Sequence, residues 1–340
     1  MTGCGGRTSI IVIAEVGVNH NGDIEVAKQL ISEARGAGAD YVKFQTFRAE
    51  ALSTSEAKLA PYQKIGNDAT NQRELLELLQ LGDDAFQELK MFSESIGIGF
   101  LTTAHDFESF EFVASLDLDY IKVPSGDLTN LPMLEKVART NARVILSTGM
   151  GDLSEVAAAL RVLEENGLSR DYVTVLHCTT DYPAPLEEVN LRAMATIRRE
   201  FSVEVGYSDH TKGQDVAVAA AALGAKIIEK HITLDQSWAG PDHAASANVA
   251  EFTQMVESIR SVELALGSET KSPGRTELVN REVVRKSVVA RVRIRAGEPL
   301  SEHNLTVKRP GTGVSPMLWH QIIGRPAIRD FDSDEMIEFS

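Results

Sequence analysis

Two histidines, His210 in VEVGYSDHT (203–211) and His231 in IIEKHIT (227–233), each close a short apolar run. If those runs are neighbouring parallel strands, their ends lie about 5 Å apart. Two imidazoles at that spacing can share one divalent cation. With oxygen donors they suit Mn2+, Zn2+ or Fe2+ and leave positions open for substrate and water. A closed structural zinc site would need four protein ligands with thiolates, and the chain has only Cys4 and Cys178. A single strand histidine is more often a packing residue, so the pair carries the reading. His20, His105 and His177 read as loop or packing residues.

Two lysines interrupt apolar runs in the same way: Lys43 in YVKFQTF (41–47) and Lys122 in YIKVPSGD (120–127). A buried ammonium without an anionic partner is costly, so each needs one. Glu15 or Asp127 could pair with them and nothing more would follow. Taken with Ser125, Ser147 and Ser208, the lysines point instead to a seat for an anion bearing a phosphate and a carboxylate. GPDH (240–243) adds Asp242 on a loop beyond the His231 run, where a carboxylate can orient a hydroxyl or accept a proton.

The elements that must hold these residues form a repeating unit. Eight β-branched runs, at 10–17, 41–47, 99–105, 120–127, 143–150, 173–183, 203–211 and 225–233, alternate with amphipathic stretches such as 23–38, 83–97, 153–167, 213–225 and 248–267. Eight pairs over about 250 residues predict an α/β (β/α)8 TIM barrel rather than a doubly wound sheet. No glycine-rich phosphate loop follows the first strand. In a barrel of this kind chemistry gathers at the C-terminal strand ends, and all eight runs carry polar residues there. The long connection 50–82 reads as a lid or substrate wall. The texture then changes. Residues 1–267 form the barrel, 268–285 read as a polar linker, and 286–340 show short β-like pieces of a small second domain.

With 49 acidic and 34 basic residues the net charge is −15, which argues against nucleic acid and anionic membranes as partners. No apolar run reaches the length of a membrane helix, and MTGCGGRTS lacks a signal-peptide core, so a cytoplasmic protein is expected. Cys4 and Cys178 read as free thiols.

The motifs IAEVGVNHNGD, VKFQTF, IKVPSGDLTN, ILSTGM, LHCTTDYPAP, VGYSDHT, IEKHITLD with GPDH, and the C-terminal LTVKRPGTG, taken in order, closely resemble the sialic acid synthase family, whose members make nonulosonic acids. The resemblance covers nearly the whole chain. It implies a TIM barrel followed by an antifreeze-like (SAF) domain, a domain-swapped homodimer, and a divalent metal, Mn2+ or Mg2+. The implied reaction joins phosphoenolpyruvate to an open-chain N-acylated amino sugar of the mannosamine type and releases phosphate by C–O cleavage. By position, His210 and His231 match the metal ligands. Lys43, Thr103, Lys122, Ser125, Ser147 and Ser208 match the phosphoenolpyruvate cradle. Glu15, Gln45, Asp127, Tyr182 and Asp242 match groups facing the sugar and the reacting carbons; Glu15 is expected to handle the proton of the attacking water, with Asp242 second. Arg309 matches an arginine sent into the partner's site to bind the N-acyl end. Two positions depart from the common pattern: His105 replaces an aromatic, and Thr180 stands where asparagine is frequent. APYQK (60–64) and HDFES (105–109) look more like N,N'-diacetyllegionaminate synthases than N-acetylneuraminate synthases.

Two other readings make different predictions. A Schiff-base aldolase on the same barrel would use Lys122 as nucleophile without a metal. A carbohydrate- or ice-binding module at the C-terminus would leave the barrel as scaffold and give no use to polar residues at eight strand ends.

Overall fold

A computed structural model describes residues 9–59, 69–140 and 142–339. Cys4 and the APYQK motif lie outside the described residues. The chain divides into two units, one through Gly267 and one from Ser268.

The first unit is the expected barrel. Its strands are β1 (Ile11–Gly17), β2 (Tyr41–Thr46), β3 (Gly99–Ala104), β4 (Tyr120–Val123), β5 (Arg143–Ser147), β6 (Val173–His177), β7 (Glu204–Asp209) and β8 (Ile227–Thr233). All pair in parallel, in the order β3-β2-β1-β8-β7-β6-β5-β4. β3 and β4 lie side by side without a hydrogen-bonded ladder between them, so the barrel is nearly closed. A two-residue strand, β9 (Ala247–Asn248), adds to β8.

Strand alternation gives this barrel two faces with different chemistry. Outward-facing valines, isoleucines and alanines pack under the surrounding helices in the main core. Inside, Ile13, Leu101, Tyr120, Ile145, Leu176 and Ile227 form one apolar layer. Two residues further along the same strands the inward positions become Glu15, Thr103, Lys122, Ser147 and Glu229, all buried. The lumen is therefore an apolar plug capped by a polar layer at the C-terminal strand ends.

Helices are set by local signals. Asp23 caps Ile24–Gly36, Asp152 closes a capping box on Leu153–Glu165, and Asn248 does the same for Val249–Leu266. The connection expected to be a wall contains a helix, Gln72–Leu79, whose buried Leu75 and Leu79 pack on Val18 and Phe47.

The second unit pairs β10 (Ser287–Ala290) with β11 (Leu305–Lys308) in antiparallel fashion, over a small core that includes Val288, Ile294, Leu305 and Phe331. Composition suggested a plain linker over 268–285, but Arg275–Val284 is a helix. Its glutamate and arginine content favours helix once Gly274 and Glu277 provide a start, and none of its residues is buried. Among the described residues no helix is long and apolar enough to cross a membrane.

Candidate active site

The polar layer opens into a cavity of about 740 Å3. Its lining includes Glu15, Lys43, Gln45, Thr103, Lys122, Ser125, Asp127, Ser147, Tyr182, Ser208, His210 and His231. These residues come from all eight strands or the loops just beyond them. Asp242 lies in an adjoining recess of about 100 Å3 shared with Gln45, Tyr182 and His231. Arg309 is exposed after β11 in the C-terminal unit.

The lysines and carboxylates form one buried network. Lys43 Nζ is 2.6 Å from Glu15 Oε2, 3.7 Å from Glu229 Oε2, and donates to Thr103 Oγ1 at 3.2 Å. Lys122 Nζ donates to Ser147 Oγ at 2.7 Å and stands 3.8 Å from Glu229 Oε1. Ser208 Oγ donates to that same oxygen at 2.9 Å. Glu229 is thus the hub, held between two ammonium groups. The sequence places it at a strand end but gives no sign of this role, because the register that sets it opposite both lysines is a property of the closed barrel. Asp127, weighed as a lysine partner, instead accepts from Asn130 Nδ2 at 2.8 Å; its loop turns the carboxylate to the rim.

Electrostatics separates the two glutamates. Burial pushes Glu15 up to about 7 against the pull of Lys43. Burial would raise Glu229 as well, but Lys122 and Lys43 outweigh it and hold this carboxylate down to about 2. Like charges sharing a lysine cannot both ionise freely, so of the two it is Glu15 that exchanges a proton near neutral pH. When Glu15 carries its proton, two ammoniums face one full carboxylate, which gives the site cationic character for an incoming anion. Lys43 is raised despite burial, by Glu15 and Glu229, whereas burial lowers Lys122 and the Lys43 ammonium adds to that.

His210 and His231 come together as expected, with ring centroids 5.7 Å apart. Tyr182 packs against both, 4.2 Å from the first ring and 5.7 Å from the second. His210 Nδ1 donates to the Thr179 carbonyl at 2.6 Å, which fixes the tautomer with the lone pair on Nε2. His231 Nδ1 is buried with no hydrogen-bond partner, 3.8 Å from Asp242 Oδ2. Burial lowers the pKa of both rings, so both are neutral. Two neutral imidazoles, one with an orphaned nitrogen, fit a divalent metal. Among the described residues no group of three or more His, Cys, Asp or Glu is arranged to hold a metal. Burial raises Asp242 to about 6. Its loop is anchored by Ser246 Oγ donating to the Asp242 carbonyl at 2.7 Å and by the contact of His243 Nδ1 with Thr233 Oγ1 at 2.7 Å.

Two glycines let backbone approach the site. Gly17 has φ +56°, and a Cβ there would sit 3.2 Å from Gln45 Nε2 and 3.3 Å from Glu15 Oε1. Gly149 donates its N–H to Ser125 Oγ at 2.9 Å, and a Cβ would fall 2.1 Å from Thr180 Oγ1 and 2.8 Å from Ser125 Oγ. Gly149→Ala is therefore expected to displace Ser125 and raise the KM for the anionic substrate about tenfold, the scale of one hydrogen bond to a charged group, while the melting temperature stays within a few degrees. Steady-state kinetics with thermal unfolding checks this. Three further residues to which the sequence gives no firm role also line the cavity: His105, Thr180 and buried Cys178, which lies 3.3 Å from Ser125 Oγ.

Fold and site together define a TIM-barrel protein whose C-terminal mouth combines a lysine-bracketed carboxylate with a pair of buried imidazoles. The NeuB family profile matches residues 30–271 and the SAF domain profile residues 285–340. An N,N'-diacetyllegionaminic acid synthase from Campylobacter jejuni is 46% identical over 96% of this chain and 98% of that protein. One of the same description from Legionella pneumophila is 43% identical over 94% and 91%. The crystal structure of an N-acetylneuraminic acid (sialic acid) synthetase from Leptospira borgpetersenii, in complex with citrate, superposes with a TM-score of 0.71 at 29% identity, covering 82% of this chain and 94% of that one. The chain belongs to the NeuB family of sialic acid synthases and carries its SAF domain.

Proposed function

We propose that this chain is a phosphoenolpyruvate-dependent nonulosonic acid synthase working in the cytoplasm, with 2,4-diacetamido-2,4,6-trideoxymannose as its sugar and N,N'-diacetyllegionaminate as its product. The observation that carries the reading is the network of Lys43, Lys122 and Glu229 beside two neutral imidazoles. The high identity to two N,N'-diacetyllegionaminic acid synthases supports the choice of sugar. N-acetylmannosamine, giving N-acetylneuraminate, is the alternative, favoured by the likeness to the Leptospira synthetase.

Lys43 and Lys122 bind the phosphate and carboxylate of phosphoenolpyruvate, helped by Thr103, Ser125, Ser147 and Ser208. His210 and His231 would hold a divalent cation, Mn2+ or Mg2+, which supplies Lewis acidity at the sugar's aldehyde oxygen when bound. C3 of phosphoenolpyruvate attacks the aldehyde carbon, and water adds to the cationic C2. Glu15, poised near neutrality, takes the proton of that water, with Asp242 as the second candidate. Collapse of the tetrahedral centre breaks the C2–O bond and expels phosphate, leaving the keto acid. Gln45, Asp127 and Tyr182 orient the sugar. In a domain-swapped homodimer, Arg309 of the partner subunit would bind the N-acyl end.

Purified protein with phosphoenolpyruvate, Mn2+ and either sugar is expected to release phosphate with the diacetamido sugar and to lose activity in chelator. Release only with N-acetylmannosamine would move the assignment to the alternative. The depressed Lys122 is the one feature that suits a Schiff-base aldolase. Activity in chelator, together with borohydride trapping of a keto acid on Lys122, would replace the proposal with that reading.

A further inference from the structure

The ends of β7 and β8 carry a second polar pair that the reaction chemistry does not use. Asp209 and Lys230 are register partners in the β7/β8 ladder. They alternate with Ser208 and His210 on one strand and with Glu229 and His231 on the other, so they point away from the lumen. Lys230 Nζ donates to Asp209 Oδ2 at 2.7 Å and to the Thr211 carbonyl at 2.7 Å. Asp209 Oδ1 in turn accepts from the Thr211 N–H at 3.0 Å and from Thr211 Oγ1 at 2.8 Å. The two side chains are 3% and 0% exposed.

An apolar pair of similar volume would fill this space without desolvating two charges, so packing does not explain the residue choice. Its effect is geometric. The bonds from Asp209 and Lys230 converge on Thr211, which brackets His210 between two pinned neighbours. The ring of His210 reaches the Thr179 carbonyl through Nδ1–H at 2.6 Å, a bond that depends on where the β7 terminus holds the residue, and its own carbonyl accepts from Ala184 N at 2.9 Å.

We propose that Asp209 and Lys230 are positioning residues for His210: the buried ion pair locks the β7 terminus so that His210 Nε2 is presented beside His231 in one orientation. The inference rests on the reading of His210 as a metal ligand and extends it to the outer face of the barrel.

The test uses the full chain and four variants. Lys230→Met removes the ammonium. Asp209→Leu with Lys230→Met removes both charges and leaves no unpaired buried carboxylate, so it carries the test if the single variant does not fold. Lys230→Arg keeps a cation. Leu163→Ala, at a fully buried position on the helix Leu153–Glu165, destabilises the barrel away from the site. The readouts are Co2+ affinity, the visible absorption band of bound Co2+, and the imidazole 15N shifts of His210 in metal-free protein. The double variant is expected to bind Co2+ about 10- to 100-fold more weakly, as when partners outside the ligand shell are lost. It should show an altered band and a mixture of His210 tautomers. Lys230→Arg should restore all three, and Leu163→Ala should lower the melting temperature without moving any. A folded double variant with wild-type Co2+ affinity, band and His210 tautomer would overturn the proposal. If the wild-type chain bound no Co2+, the metal reading would fail instead, and the metal-free 15N shifts would still decide whether the pair positions His210.

Discussion

His210→Ala and His231→Ala are each expected to reduce sugar-dependent phosphate release by roughly 10³-fold or more while leaving the chain folded. The size follows from the chemistry assigned to the pair: Lewis-acid stabilisation at a carbonyl oxygen is worth several kcal/mol, at about 1.36 kcal/mol per tenfold in rate. The folded state should survive because both rings sit at the cavity rather than in the hydrophobic core; His210 gives up one hydrogen bond to the Thr179 carbonyl and His231 Nδ1 gives up none. Circular dichroism and a stopped phosphate assay on the same preparations separate the two effects. Near wild-type turnover in either variant would remove the imidazole pair from the mechanism.

The second large effect concerns stability. Glu229→Gln removes the carboxylate that faces Lys43 and Lys122 at 3.7 and 3.8 Å and leaves two buried ammoniums with too little compensation. Breaking a buried ion pair by removing one partner costs about 3–5 kcal/mol, and at about 2–4 °C per kcal/mol for a unit of this size the melting temperature should fall on the order of 10 °C. The sign against pH follows from its depressed pKa of about 2 in the folded chain. Its contribution in the wild type is present above the ordinary glutamate pKa of about 4.3 and is lost as pH falls through the folded value. Phosphoenolpyruvate should recover more stability in Glu229→Gln than in the wild type, since its anionic groups stand in for the missing carboxylate. Equal ligand-induced shifts in the two proteins would place the anion away from these lysines.

Much of this was legible before any coordinates. Strands and their polar ends could be read from alternation, because a residue two positions past a buried isoleucine must face the same lumen. That logic placed Lys43, Lys122, Ser147, Ser208, His210 and His231 at one mouth, and the cavity contains them all. It could not say which carboxylate meets which lysine. Glu229 is central only because closure sets β8 opposite both lysine strands, and Asp127 fails as a partner because a short 3-10 turn carries it to the rim. Polar composition hid the helix Arg275–Val284, which buries no face and so leaves little apolar signature. Lys230 and Asp209 carry no distinguishing signal in the sequence, which does not reveal that alternation turns them outward onto each other.

The central claim is that this site forms a carbon–carbon bond to phosphoenolpyruvate and then expels phosphate by breaking the bond between C2 and the bridging oxygen. Phosphoenolpyruvate carrying 18O in the bridging position, turned over with Mn2+ and the diacetamido sugar and followed by 31P NMR, tests it directly. The account predicts one 18O in every inorganic phosphate released. Unlabelled phosphate, with the 18O left in the keto acid, would contradict it.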